Sequence, residues 1–144
     1  MNDLTNTLLQ LLRAALEPTV PPPSIPRLTE EKWTRLFTLA AQHGVTALLF
    51  DTILRLPEQQ QPSRALKIRW ALSSEAIEKR HAQQTRAATD NALRFASHGV
   101  RTILLKGLGL SIYYPRPEHR ECGDIDLWLS LIHISEPTRP ISIS

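Results

Sequence analysis

A single cysteine, Cys122, stands in a chain of 144 residues. One thiol excludes an internal disulfide framework and fits a reducing compartment. Long apolar runs are missing too: nothing approaches the roughly 18 residues that a membrane span needs. The N-terminus has no basic stretch followed by an apolar core, since Asn6, Thr7 and Gln10 interrupt it, which argues against a secretion signal. Charge of one sign is scarce as well. Lys plus Arg number 17 against 14 Asp plus Glu, a net charge of +3. That excess permits contact with phosphate-bearing ligands without arguing for nucleic-acid binding. No internal repeat is visible. With 42% hydrophobic and 22% charged residues, the composition is that of one soluble globular domain, and the expected location is the cytoplasm.

What is present begins with helix patterns. Leu4, Leu8, Leu11, Leu12 and Ala15 mark one face of a helix over residues 3–16, and the prolines of residues 18–27 end it in an extended linker. Thr29 is an N-cap for the next helix, with Glu30 and Glu31 at the positive end of its dipole and Leu28 and Trp33 spaced as a hydrophobic staple. Trp33, Leu36, Phe37 and Ala40 predict its buried face, and Gly44 stops it. "VTALLFDTIL" reads as a further helix. Ser63 caps a long one expected from about Arg64 to Ser97, with Gly99 as its stop. At 1.5 Å per residue it is about 50 Å long, so a kink or break is expected. Its middle, "EKRHAQQTRAATDN", reads as a solvated face. The alternative, a nucleic-acid surface using Lys79, Arg80 and Arg86, lacks the interleaved aromatics such surfaces use.

After Gly99 the period changes. "VRTILLK" is β-branched and apolar and predicts a buried strand. "GLGLSIYYP" reads as a glycine-opened turn and a short helix ended by Pro115, "PRPEHRECG" as a polar loop, and "DIDLWL" as an alternating strand. In a strand, Asp124 and Asp126 share one face and Ile125 and Leu127 the other. Paired carboxylates repel unless a cation compensates. Mg2+ is such a cation, often held by one or two carboxylates plus substrate phosphates. A lone Asp-x-Asp is more often the polar face of a half-exposed strand. Here, though, Lys106 and Gly107 end the upstream strand, where glycine allows close backbone approach and lysine adds positive charge, as a phosphate seat would.

The stretch "LLKGLGLSIYYPRPEHRECGDIDLWL" resembles the core of an uncharacterised nucleotidyltransferase family of the polymerase-beta-like superfamily. The matching residues are Lys106, Gly107, Tyr114, Pro115, Arg120, Gly123, Asp124, Ile125, Asp126 and Leu127. "AAQHGVTALLF", residues 40–50, is similar to the helical segment that precedes the catalytic unit, so the likeness covers about residues 28–129. It implies that Asp124 and Asp126 are the catalytic, metal-binding pair for Mg2+. Lys106 and Gly107 would hold the nucleotide's phosphates, with Arg120 a second contact. The implied reaction moves a nucleoside monophosphate from NTP to an unknown acceptor. Two departures stand out. The phosphate turn is Lys-Gly where the superfamily usually has Gly-Ser or Gly-Gly, and no third carboxylate follows on a later strand. Glu136 is the only acid after Asp126.

"LSLIHISEPTR", residues 129–139, resembles a translated transposon-type sequencing-library adaptor. On that reading the gene is cut just after Trp128, residues 129–144 are a non-native tail, and neither His133 nor Glu136 belongs to a site. The expected fold is α+β: a mostly helical portion over 1–98, then the start of a nucleotidyltransferase core over 99–128. The fragment by itself would be inactive. The alternative is a non-catalytic helical interaction or regulatory domain carrying a degenerate transferase-like unit. A nucleotide-sugar glycosyltransferase ranks below both, because the text before the Asp-x-Asp is helical rather than a series of βα units.

Overall fold

Periodicity and capping account for the helices of the computed structural model, which describes residues 3–131 and the backbone of 141–143. Helix α1 spans Asp3–Leu16, α2 Glu30–Gln42 and α3 Thr46–Ile53. Thr29 caps α2, its hydroxyl accepting from the Lys32 amide at 3.3 Å, and Leu28 and Trp33 are both buried beside it as the staple requires. Helix α4 spans Arg64–Ala96 as one 33-residue element, and the Ser63 hydroxyl accepts from the Leu66 amide at its start. Gly99, at φ +73°, closes the turn that follows it, a conformation glycine adopts without strain. The expected α+β class holds.

Two compact units divide the chain at Ile77/Glu78, inside α4. In the first, α1, α2, α3 and the start of α4 enclose Leu11, Trp33, Leu36, Leu49, Ile53 and Trp70. Trp70 has no exposed surface. Phe37 meets its ring edge-on at 5.0 Å between centroids, and Trp33 does so at 6.2 Å. Its indole N–H, which burial would otherwise leave unsatisfied, donates to the Thr46 carbonyl at 2.8 Å.

The second unit contains a three-stranded antiparallel sheet in the order β1-β2-β3, where β1 is Val100–Leu105, β2 Ile125–Leu131 and β3 Ile141–Ile143. Between β1 and β2 lie a short helix α5, Lys106–Leu110, and 3-10 turns at Ser111–Tyr113 and Pro117–His119. Strand β2 alternates as its sequence predicts: Ile125, Leu127 and Leu129 are buried, Asp126 and Trp128 only partly so. Strand β1 does not fit the prediction of a buried strand. It lies at the edge of the sheet, and Ile103 is 53% exposed. Apolar, β-branched composition reports fitness for a pleated surface, and an edge strand satisfies it as well as a central one. Strand β2 runs on to Leu131, past Trp128. Residues 132–140, with His133 and Glu136, lie outside the described residues.

Candidate active site

Antiparallel pairing of β1 with β2 puts Leu105, the last residue of β1, across from Asp126. The residue after Leu105 is Lys106, so the turn leaving one strand and the carboxylates entering the other meet at one end of the sheet. Lys106 Nζ lies 3.6 Å from Asp126 Oδ2. The lysine side chain is 77% exposed and that of Asp126 20%, so the ion pair is a weak, solvent-screened one. Its significance is positional: a cation already stands beside the paired acids. Asp126 sits in the ladder of β2, while Asp124 precedes the strand and is exposed.

The turn itself is unusual. Lys106 has φ +45°, the one non-glycine residue of positive φ among those described, a region that costs L-residues energy and in which strain gathers at functional sites. Gly107 follows with non-helical angles inside α5. Helix α5 is five residues long and is kinked at its second, Gly107. A Cβ built on Gly107 would lie 3.4 Å from the Asp124 carbonyl oxygen, 3.7 Å from Cys122 Cβ and 3.9 Å from Arg120 Nη1. Glycine here lets the turn pack directly on the segment that leads into the acid pair. Gly109 is tighter still, since an added Cβ would lie 2.7 Å from the Leu104 carbonyl oxygen. That glycine is required for α5 to fold back on β1.

Arg120, the third expected phosphate contact, is placed close to the turn. Its guanidinium lies 5.5 Å from the centre of the Tyr114 ring, within cation–π range. Nη1 donates to Cys122 Sγ at 3.3 Å. Burial works against the charged guanidinium, but hydrogen bonds and attraction from Cys122 and Tyr114 more than offset it and raise its pKa. Cys122 is thus a buried packing and acceptor group with a free thiol. All five expected residues, Lys106, Gly107, Arg120, Asp124 and Asp126, belong to one end of the second unit.

Other residues escaped the sequence reading. The polar middle of α4 is not simply a solvated face. Glu78 Oε1 accepts from His119 Nε2 at 2.7 Å and from Arg116 Nη2 at 3.2 Å. His119 is 2% exposed. His81 Nε2 lies 3.3 Å from Ser111 Oγ, whose own proton goes to the Leu108 carbonyl at 2.6 Å, so the histidine is the donor. Gln84 Nε2 donates to the carbonyls of Cys122 at 3.0 Å and Gly123 at 2.9 Å. Their spacing of three along one helix puts them on a common face, but nothing in the residues marks that face as covered by a loop.

A family model described as "Uncharacterised nucleotidyltransferase" matches residues 29–136. The chain belongs to this nucleotidyltransferase family. The match takes in both the helices from α2 onward and the strand–turn–strand unit that carries Lys106 and the two aspartates. No match is found among curated proteins or among solved structures.

The donor set suits a hard divalent cation. Asp124 and Asp126 supply hard carboxylate oxygens, and Lys106 shows that the end of the sheet accepts a cation; Mg2+ commonly takes one or two carboxylates with substrate phosphates completing its shell. Among the described residues no group of three or more His, Cys, Asp or Glu gathers. Glu121, though close in sequence, does not join the pair. Among the described residues no helix is long and apolar enough to cross a membrane.

Proposed function

We propose that this chain carries the nucleotide-binding end of a Mg2+-dependent nucleotidyltransferase that moves a nucleoside monophosphate from NTP to an acceptor. The observation that carries the reading is the meeting of Lys106 with Asp126 across paired strand ends, with Gly107 packed against the Asp124 backbone. Asp124 and Asp126 hold the metal. Bound Mg2+ supplies charge neutralisation to the triphosphate. Lys106, whose side chain is exposed, would be free to leave Asp126 and give its positive charge to the phosphates, while the two aspartates would hold the metal. Gly107 lets the phosphate chain approach the backbone. Arg120, held between Tyr114 and Cys122, is the second cationic contact, its planar fork suited to two phosphate oxygens. The acceptor hydroxyl oxygen forms a bond to the α-phosphorus and gives its proton to solvent, while the bond from the α-phosphorus to the bridging oxygen breaks and pyrophosphate leaves with that electron pair.

Among the described residues the site offers a pair of carboxylates, which suits binding of the metal–nucleotide unit more than its turnover by this chain alone. We read the enzyme as a cytoplasmic one, in keeping with a free buried thiol. The same observation, no group of three acidic or metal-binding side chains among the described residues, favours a second reading in which a nucleotide-binding regulator has lost catalysis.

Titration of Mn2+ with ATP, GTP, CTP and UTP in turn, followed by the electron paramagnetic resonance of the bound ion, tests the proposal. At least one nucleotide should bind with the metal, and Asp124→Asn should weaken that binding by about 10–100-fold, the cost typical of disturbing a metal site. No metal–nucleotide binding, or equal binding by the variant, would sink it.

A further inference from the structure

The three polar residues on one face of α4 have different targets. Glu78 holds the turn at Pro117–His119, His81 holds Ser111, and Gln84 alone reaches the peptide that leads into Asp124. A single amide nitrogen there spends both hydrogens on two successive carbonyls, those of Cys122 and Gly123. In an extended chain such carbonyls point to opposite sides. One nitrogen can bond both only where the backbone bends, so the bond pair fixes a bend at Cys122–Gly123. Nothing crowds Gly123: a Cβ built there meets no atom within 4 Å. Packing therefore does not hold the bend at that residue.

The consequence falls unequally on the two acids. Asp126 is registered by the sheet, with Leu105 on one side and Ser142 on the other. Asp124 lies before the first paired residue of β2, so its place depends on the loop. We infer that Gln84 is the positioning residue of Asp124, setting where that carboxylate stands relative to Asp126 and so the fit of the metal–triphosphate unit. This rests on the metal–nucleotide reading of the same site. Ligand-orienting partners of this kind matter because a carboxylate free to wander spends part of its time out of coordinating geometry.

The test uses the full chain as wild type, Gln84→Met and Gln84→Glu, side chains of similar size. Two readouts are taken: deuterium uptake of residues 121–126, and affinity for Mn2+ with the nucleotide that binds the wild type best. Gln84→Met removes both donors, and Gln84→Glu at neutral pH adds a carboxylate facing two carbonyls. Uptake should rise in both. Affinity should fall about 10–100-fold for Met and further for Glu. A role in packing alone would leave the three side chains nearly equivalent, and that result overturns the inference. So does unchanged uptake in both variants. If the wild type binds no metal–nucleotide while uptake still rises in the variants, the functional reading fails and Gln84 is reduced to a loop fastening. Should Gln84→Met fail to fold, Gln84→Asn, whose donors stop one methylene short of the carbonyls, is read in its place with the same expectations.

Discussion

Trp70 in the first unit meets the rings of Phe37, Trp33 and Phe50 and gives its one polar hydrogen to Thr46. In the second unit, a buried polar side chain, His119, is held by the carboxylate of Glu78. One region is held mainly by apolar area, with a few buried hydrogen bonds beside it, such as that from Thr52 Oγ1 to the Leu11 carbonyl at 3.0 Å. The other keeps a modest apolar set, Leu108, Ile125, Leu127 and Leu129 among it, and fastens its loops with polar side chains from a helix. The difference teaches where each kind of device belongs. Apolar packing fixes helices whose faces repeat. Polar fastening fixes irregular backbone, whose carbonyls and hydroxyls need partners.

Removing Trp70 should be the most damaging single change to this contrast. Trp70→Ala deletes a fully buried indole and its hydrogen bond to the Thr46 carbonyl, so the loss of unfolding free energy should be about 3–5 kcal/mol. Urea denaturation followed by helix circular dichroism would measure it. A loss under about 1 kcal/mol would mean that the first unit is not held by its aromatic core. A smaller effect, of about 1–3 kcal/mol, is expected of Gly109→Ala. An added Cβ 2.7 Å from the Leu104 carbonyl must push α5 off β1. Hydrogen exchange should report loosening in β1 and α5 while α2 and α3 keep their protection. If the variant is as stable as the parent, the close approach of α5 to β1 is not required.

The two regions also differ in how far the residues announced them. Heptad-like spacing and caps such as Thr29 and Ser63 were enough for the helices of the first unit, because each signal is local and periodic. The five expected residues stand in the order Lys-Gly, then Arg, then Asp-Ile-Asp, and the pairing of β1 with β2 explains why the first and last of them lie at one end of the sheet; their roles are proposed ones. The roles of Glu78, His81 and Gln84 were not legible. Their partners, His119, Ser111 and the Cys122 and Gly123 carbonyls, lie far along the chain in loops, and a polar run on a helix looks alike whether it faces water or a loop. The edge position of β1 was hidden for a related reason: composition says that a segment suits a sheet and is silent on which strands flank it.

Lys106 gives the subtlest way to sharpen the contrast, because there stability and function should part. Its φ of +45° is unfavourable for a residue with a Cβ, and its ion pair with Asp126 is too exposed to return much stability. Lys106→Ala keeps the strained backbone, whereas Lys106→Gly relieves it while adding freedom to the unfolded chain. The glycine variant should therefore be more stable than the alanine variant by about 1 kcal/mol. Both lack the ammonium, so both should bind Mn2+–nucleotide more weakly than the parent and to a similar degree. Thermal denaturation of the pair beside the metal–nucleotide titration separates the two effects. Equal stability of the glycine and alanine variants would show that no strain is stored at the turn. Undiminished nucleotide affinity in both would show that the lysine serves the backbone there and not the phosphates.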